Sequence, residues 1–124
     1  MSGGRFEYNQ YRIRDIATEI EQEIYNSGRE KTQQEIKNEI NSWYPGHEPD
    51  PVHYEYPKEV VNEFITAYKI LRVAEIYAHR IDWLLSGDDG EETFMERLSQ
   101  DLKTFDAELA IKKMNGFKPE EYED

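Results

Sequence analysis

The chain contains no cysteine, which excludes disulfides, thiolate metal sites and cysteine nucleophile chemistry. It has no apolar run near the ~18 residues of a membrane span, and its first residues lack the apolar core of a signal peptide. A soluble, cytoplasmic protein is therefore expected. Basic residues are scarce as well: 15 Lys and Arg stand against 27 Asp and Glu, for a net charge of −12. That sign disfavours direct binding to nucleic acid through phosphate neutralisation. A basic protein surface is the better electrostatic match. No Ser/His/Asp arrangement, phosphate loop or His-rich metal spacing occurs, so neither a cofactor nor a metal is expected.

What is present is periodic apolar sequence in a chain of 124 residues, enough for one domain with one core. The spacing predicts an all-α fold of about four helices, with residues 1–117 as a single helical domain and 118–124 as an acidic tail. Ile13, Ile16, Ile20 and Ile24 recur at threes and fours and mark the first helix, with Gly28 as its stop. Thr32 precedes Glu35 at capping-box spacing and opens a short second helix striped by Ile36, Ile40 and Trp43. The third helix runs on from Pro57, a residue suited to a first turn. Val61, Phe64, Tyr68, Leu71, Ile76 and Leu84, among others, make it apolar on most sides, so it should be central. Ser86-Gly87 ends it as a glycine C-cap does. Phe94, Leu98, Leu102, Phe105 and Leu109 stripe the fourth helix, which Asn115-Gly116 stops. The short link predicts an antiparallel hairpin of helices three and four, with helices one and two packed across it and apolar surface left on helix three for a partner subunit.

Four of the five prolines fall within residues 44–57, so this segment is an extended or turn-rich loop between helices two and three. Trp43, Tyr44, Tyr54 and Tyr56 bracket it. Such rings either anchor the loop or recognise a partner, and Tyr54 and Tyr56 are carried forward as partner-binding candidates. His47 and His53, in the same loop, have the ordinary expectation of facing water. His79 is expected on the helix surface beside Glu75.

The acid is unevenly placed. Residues 57–85 carry four acids and four bases, whereas 86–124 carry 12 acids and five bases. The densest run is Asp88-Asp89-Gly90-Glu91-Glu92, and Asp88, Asp89, Glu91 and Glu92 are the principal partner-binding candidates. Hard-cation binding is conceivable from its oxygens, but the spacing of an EF-hand is absent. Capping and dipole compensation at a helix start account for the run. Arg80 and Arg97 flank it one turn away on either side. They either close on Asp82, Asp88 or Asp89 as a latch or, with Arg12 and Arg14, grip a phosphate.

Two segments carry a resemblance. Met1-Ser2-Gly3-Gly4-Arg5-Phe6-Glu7-Tyr8 is followed by Arg12-Ile13-Arg14-Asp15-Ile16-Ala17. The second is Arg80-Ile81-Asp82-Trp83-Leu84-Leu85-Ser86-Gly87-Asp88-Asp89-Gly90-Glu91, with Phe94, Arg97 and Leu98 after it. Together they resemble a family of small proteins of tailed bacteriophages and prophages, over roughly half the chain. The family usually has histidine at the fifth position, where this chain has Arg5, so no role is carried over for that residue. The resemblance implies a phage or mobile-element origin and an accessory role during infection. The expected function is a non-enzymatic acidic protein that binds a host protein with a basic surface, inhibiting a defence or nucleic-acid-binding system in the host cytoplasm. One alternative is a protein sequestering a nucleotide signal through Arg12, Arg14, Arg80 and Arg97. The other is a metal-dependent nucleotide hydrolase, although the glutamate pairs at one-turn spacing (Glu19/Glu23, Glu35/Glu39, Glu92/Glu96) lack that family's motifs.

Overall fold

The computed structural model describes residues 5–42, 46, 48–115 and 117. Trp43, Tyr44, His47 and the tail 118–124 lie outside the described residues. Four helices follow one another: α1 Gln10–Asn26, α2 Gln33–Ser42, α3 Lys58–Leu85 and α4 Glu91–Met114. α3 packs against both α1 and α4, so the all-α fold with a central α3 and an α3–α4 hairpin stands.

The hairpin turn follows from Gly87. Its φ of +84° is a conformation that costs an L-residue roughly 1–2 kcal/mol. The Gly87 N–H donates to Leu84 O at 3.2 Å and the Asp88 N–H to Trp83 O at 2.9 Å, which completes a Schellman motif and satisfies the last carbonyls of α3.

The core joins Ala17 and Ile24 of α1 with Tyr68 and Ile76 of α3, Phe105 and Leu109 of α4, and Phe117. The α1 stripe is therefore rotated from the one expected. Ile16 is 51% exposed, and buried Gln10, Ala17 and Ile24 repeat at seven residues. Phe117, beyond the expected end of the last helix, is buried with its ring against Tyr25 and Tyr68 at 5.7 and 5.4 Å.

α2 departs from expectation. Among the described residues it packs against no other helix, because its stripe is narrow and Ile40 is exposed. Its capping box does form: the Glu35 N–H donates to Thr32 Oγ1 at 3.1 Å, and the Thr32 N–H to Glu35 Oε1 at 2.7 Å. A short antiparallel pairing tethers it, with Lys31 N–H donating to Pro51 O and His53 N–H to Arg29 O. The guanidinium of Arg29 reaches Asn26, Glu35 and His53. His53 is thus drawn into an ionic knot rather than turned to water.

Candidate functional site

The acidic turn divides into one inward carboxylate and several outward ones. Asp89 does not cap α4; Gly90 occupies the N-cap position, and no side chain bonds there. Instead the Asp89 side chain is 1% exposed and lies 3.4 Å from Arg80 Nη1 and 3.1 Å from Arg97 Nη1. Arg80 also donates from Nε to Asp101 Oδ2 at 2.9 Å, and its guanidinium stands 5.1 Å over the Trp83 ring. This is the latch expected of the two arginines, with Asp101 as an additional member one helix away in sequence. Burial of Asp89 is tolerable because two cations hold it. Asp88, Glu91 and Glu92 are exposed and make no ion pair among the described residues.

Asp82 is employed elsewhere. It is buried, and its Oδ1 accepts from the Phe6 N–H at 2.8 Å while Oδ2 lies 3.5 Å from Gln10 Nε2. The Arg5 N–H donates to Ser86 Oγ at 2.9 Å. These bonds hold residues 5–9 in a turn where Glu7 and Tyr8 both take positive φ, at 54° and 65°. Two consecutive left-handed L-residues are strained, and the anchors at Asp82 and Ser86 offset that cost. Residues 5–6 are thus docked on the C-terminal end of α3.

A cleft of about 220 Å³ opens between α1, α3 and α4 beside the latch. Arg14, Arg72, Glu75, His79, Asp101 and Glu108 contribute its charged and polar lining. Glu75 is buried and sits 3.6 Å from Arg14 and 3.4 Å from Arg72. His79 does not pair with Glu75 as expected. Its ring lies between those of Tyr11 and Trp83, at 6.0 and 5.4 Å. Sequence reasoning missed Arg72, which reads as one polar residue interrupting an apolar stripe; only the packing places it on this wall.

The phosphate-binding set does not converge. Arg80 and Arg97 are engaged by Asp89, Arg14 lies beside Glu75, and Arg12 is exposed without a described ion pair. The aromatic candidates are likewise distant from the acidic turn. Tyr56 packs edge-on to Phe64 near the start of α3, and Tyr54, 71% exposed, packs edge-on to Tyr56. At about 1.5 Å per residue, the helix from Phe64 to Ser86 sets the two groups roughly 33 Å apart. Among the described residues no group of three acids or histidines is placed to hold a metal ion. None of the described helices is long and apolar enough to cross a membrane.

Lys112 occupies the far end of the bundle. It pairs with Glu21, bonds Tyr25 Oη at 3.2 Å and lies within 5.6–5.8 Å of the Tyr25, Tyr68 and Phe117 ring centroids. Burial opposes its charge, but hydrogen bonds to Glu21 and Tyr25 win and raise its pKa. Burial, then the Glu21 hydrogen bond, raises that of Tyr25. This is a structural clamp that joins α4 to α1.

Compared with protein families, with curated proteins and with solved structures, the chain matches none.

Proposed function

We propose that this protein acts by binding rather than by catalysis: an accessory protein of phage type whose acidic hairpin turn docks on the basic surface of a host protein, blocking a site that would otherwise hold nucleic acid and so inhibiting a defence system. The observation that carries this reading is the division of charge at the turn. Arg80 and Arg97 are taken up by Asp89, and Arg80 also by Asp101, so the neighbouring cations leave Asp88 exposed beside the Schellman turn and Glu91 and Glu92 exposed at the start of α4. A rigid presentation of carboxylates lowers the ordering cost of docking. Tyr54 and Tyr56 form a second patch, too distant for the same compact contact, which serves a large or two-point partner.

A further support is the outward face of α3. Ile70, Ala74 and Tyr77 are exposed along it, with half-buried Ile81 and exposed Leu85 continuing the same row. Contiguous apolar surface of this kind marks protein–protein contact, whether with a host protein or with a second copy.

The test is affinity capture of the tagged chain from bacterial lysate in low and in high salt, beside the Asp88→Asn/Glu91→Gln/Glu92→Gln variant. A specific protein captured by the parent, weakened by the triple variant and released by salt, is the expected result, because exposed charges are screened within ~8–10 Å at physiological ionic strength. Capture indifferent to both changes overturns the docking of the acidic turn.

A further inference from the structure

We propose that the cleft between α1, α3 and α4 is a binding site for a small organic cation, an ammonium or guanidinium group that donates hydrogen bonds to Glu75. The starting point is a carboxylate whose donors are missing. Glu75 is only 7% exposed, yet its Oε1 accepts no hydrogen bond among the described residues. Two guanidiniums pair with it electrostatically, Arg72 Nε at 3.4 Å and Arg14 Nη1 at 3.6 Å, but neither makes a hydrogen bond to it. A buried charge in this condition is costly until hydrogen-bond donors reach it.

Arg72 is not free to supply them. Its Nη1 donates to Tyr68 Oη at 2.9 Å, and its guanidinium lies 4.9 Å over the Phe105 ring centroid. Those two contacts hold it where its Nε is also left without a partner. Arg14 is different: its side chain is 48% exposed at the mouth of the cleft, and it can swing away without breaking a hydrogen bond to Glu75. Once it does, the charged lining is Glu75, Asp101 and Glu108 against Arg72, with Asp101 still shared with Arg80.

The chemistry of the occupant follows from these groups. With Arg14 turned out, an incoming anion meets Glu75, Asp101 and Glu108 against Arg72 in a protein of net charge −12, a field that disfavours anions and favours cations. His79 also lines the cleft, and its Nδ1 is buried without a hydrogen-bond partner among the described residues. In the neutral ring it can serve as a second acceptor. A group with positive charge and several N–H donors satisfies Glu75 and His79 together, and the exposed Glu108 receives its outer side. The same chemistry arises from a free amine or guanidine and from a Lys or Arg side chain of a protein partner. The site does not depend on docking of the acidic turn.

The experiment is calorimetric titration of the full chain, in physiological salt, with spermidine, arginine methyl ester, the peptide acetyl-Gly-Arg-Gly-amide and AMP. The ring-proton shifts of His79 are followed by NMR in parallel. Saturable binding of at least one cation that moves the His79 signals is expected, with no binding of AMP. Glu75→Gln should weaken it by about tenfold or more, the scale of one charge-assisted hydrogen bond. Arg14→Ala should tighten it, and Glu108→Gln should weaken it; both act at exposed side chains, so they decide the matter if the Glu75 variant does not fold. The Asp88→Asn/Glu91→Gln/Glu92→Gln variant should bind the cations unchanged, which separates this site from the acidic turn. Preference for spermidine or the ester over the peptide identifies a small-molecule ligand, and the reverse identifies a partner's side chain. Absence of binding by all three cations, binding of AMP instead, or equal affinity in Arg14→Ala and Glu108→Gln overturns the proposal.

Discussion

Asp89 is the residue that ties the two arms of the hairpin together beside the turn. From its position before Gly90 it reads equally well as a cap or as a surface acid, and what separates the two is the convergence of Arg80 from α3 and Arg97 from α4. Asp89→Asn should lower stability by about 2 kcal/mol, measured as a fall in the urea midpoint at unchanged slope. That lies below the ~3–5 kcal/mol of a fully buried pair, because Arg80 retains Asp101 and half of Arg97 is exposed. An unchanged midpoint would mean that the latch contributes shape and not stability. Phe117 makes the complementary point. One aromatic residue after an Asn-Gly stop carries no periodicity to signal burial, and its place between Tyr25 and Tyr68 exists only once α1, α3 and α4 are assembled.

Among the elements, α2 stands apart: a helix that its capping box and the Arg29 knot maintain, with no other helix packed on it among the described residues. Glu35 links both devices. Its carboxyl accepts from Arg29 first and from the Thr32 N–H second, and these bonds lower its pKa from 4.5 to about 2. Because the folded value is depressed, the stabilisation is present in full above about pH 4.5 and is lost as the pH falls towards about 2. The protection factors of the 28–36 amides, corrected for the intrinsic pH dependence of exchange, should therefore fall across that window, and the Glu35 carboxyl resonance should titrate near its lower end. A midpoint at the ordinary glutamate value would show that Arg29 does not hold Glu35 in solution. Throughout, the α2 amides should exchange faster than those of α3, since a helix with no other helix packed on it among the described residues opens locally at low cost.

At the scale of the whole molecule, the charge of −12 opposes compaction, while the ion pairs at Asp89, Glu35 and Lys112 favour it. Most of the acids lie on exposed faces, where repulsion is long-ranged and readily screened, whereas the pairs are short and partly buried. Raising salt from about 0.01 M to about 0.15 M shortens the Debye length from ~30 to ~8 Å. It should then raise the thermal midpoint by about 4 °C, the change that ~1 kcal/mol produces in a domain of this size. A fall in the midpoint would show that the pairs outweigh the repulsion. The same screening should weaken partner capture, so stability and binding are expected to respond to salt with opposite signs.

The sequence by itself determined which segments are helical, where three of them stop and which helix is central, because these depend on local spacing, Gly87 and the Thr32–Glu35 box. It also offered the pairing of Arg80 and Arg97 with a nearby acid as one of two readings, but separations of nine and eight residues from Asp89 are closed only when the hairpin brings α3 and α4 together. Tertiary structure alone decided the rotation that buries Ala17 and exposes Ile16, the detachment of α2, and which of several equivalent acids turns inward. It decided as well that Asp82 anchors the N-terminal turn, that Tyr54 and Tyr56 stand far from the acidic turn, and that Arg14, Arg72, Glu75 and His79 share a cleft. The physical reason is range. Helices and turns are set by residues within about one turn of one another, whereas the partner of a buried charge is chosen by whichever opposite charge the packed helices bring to it.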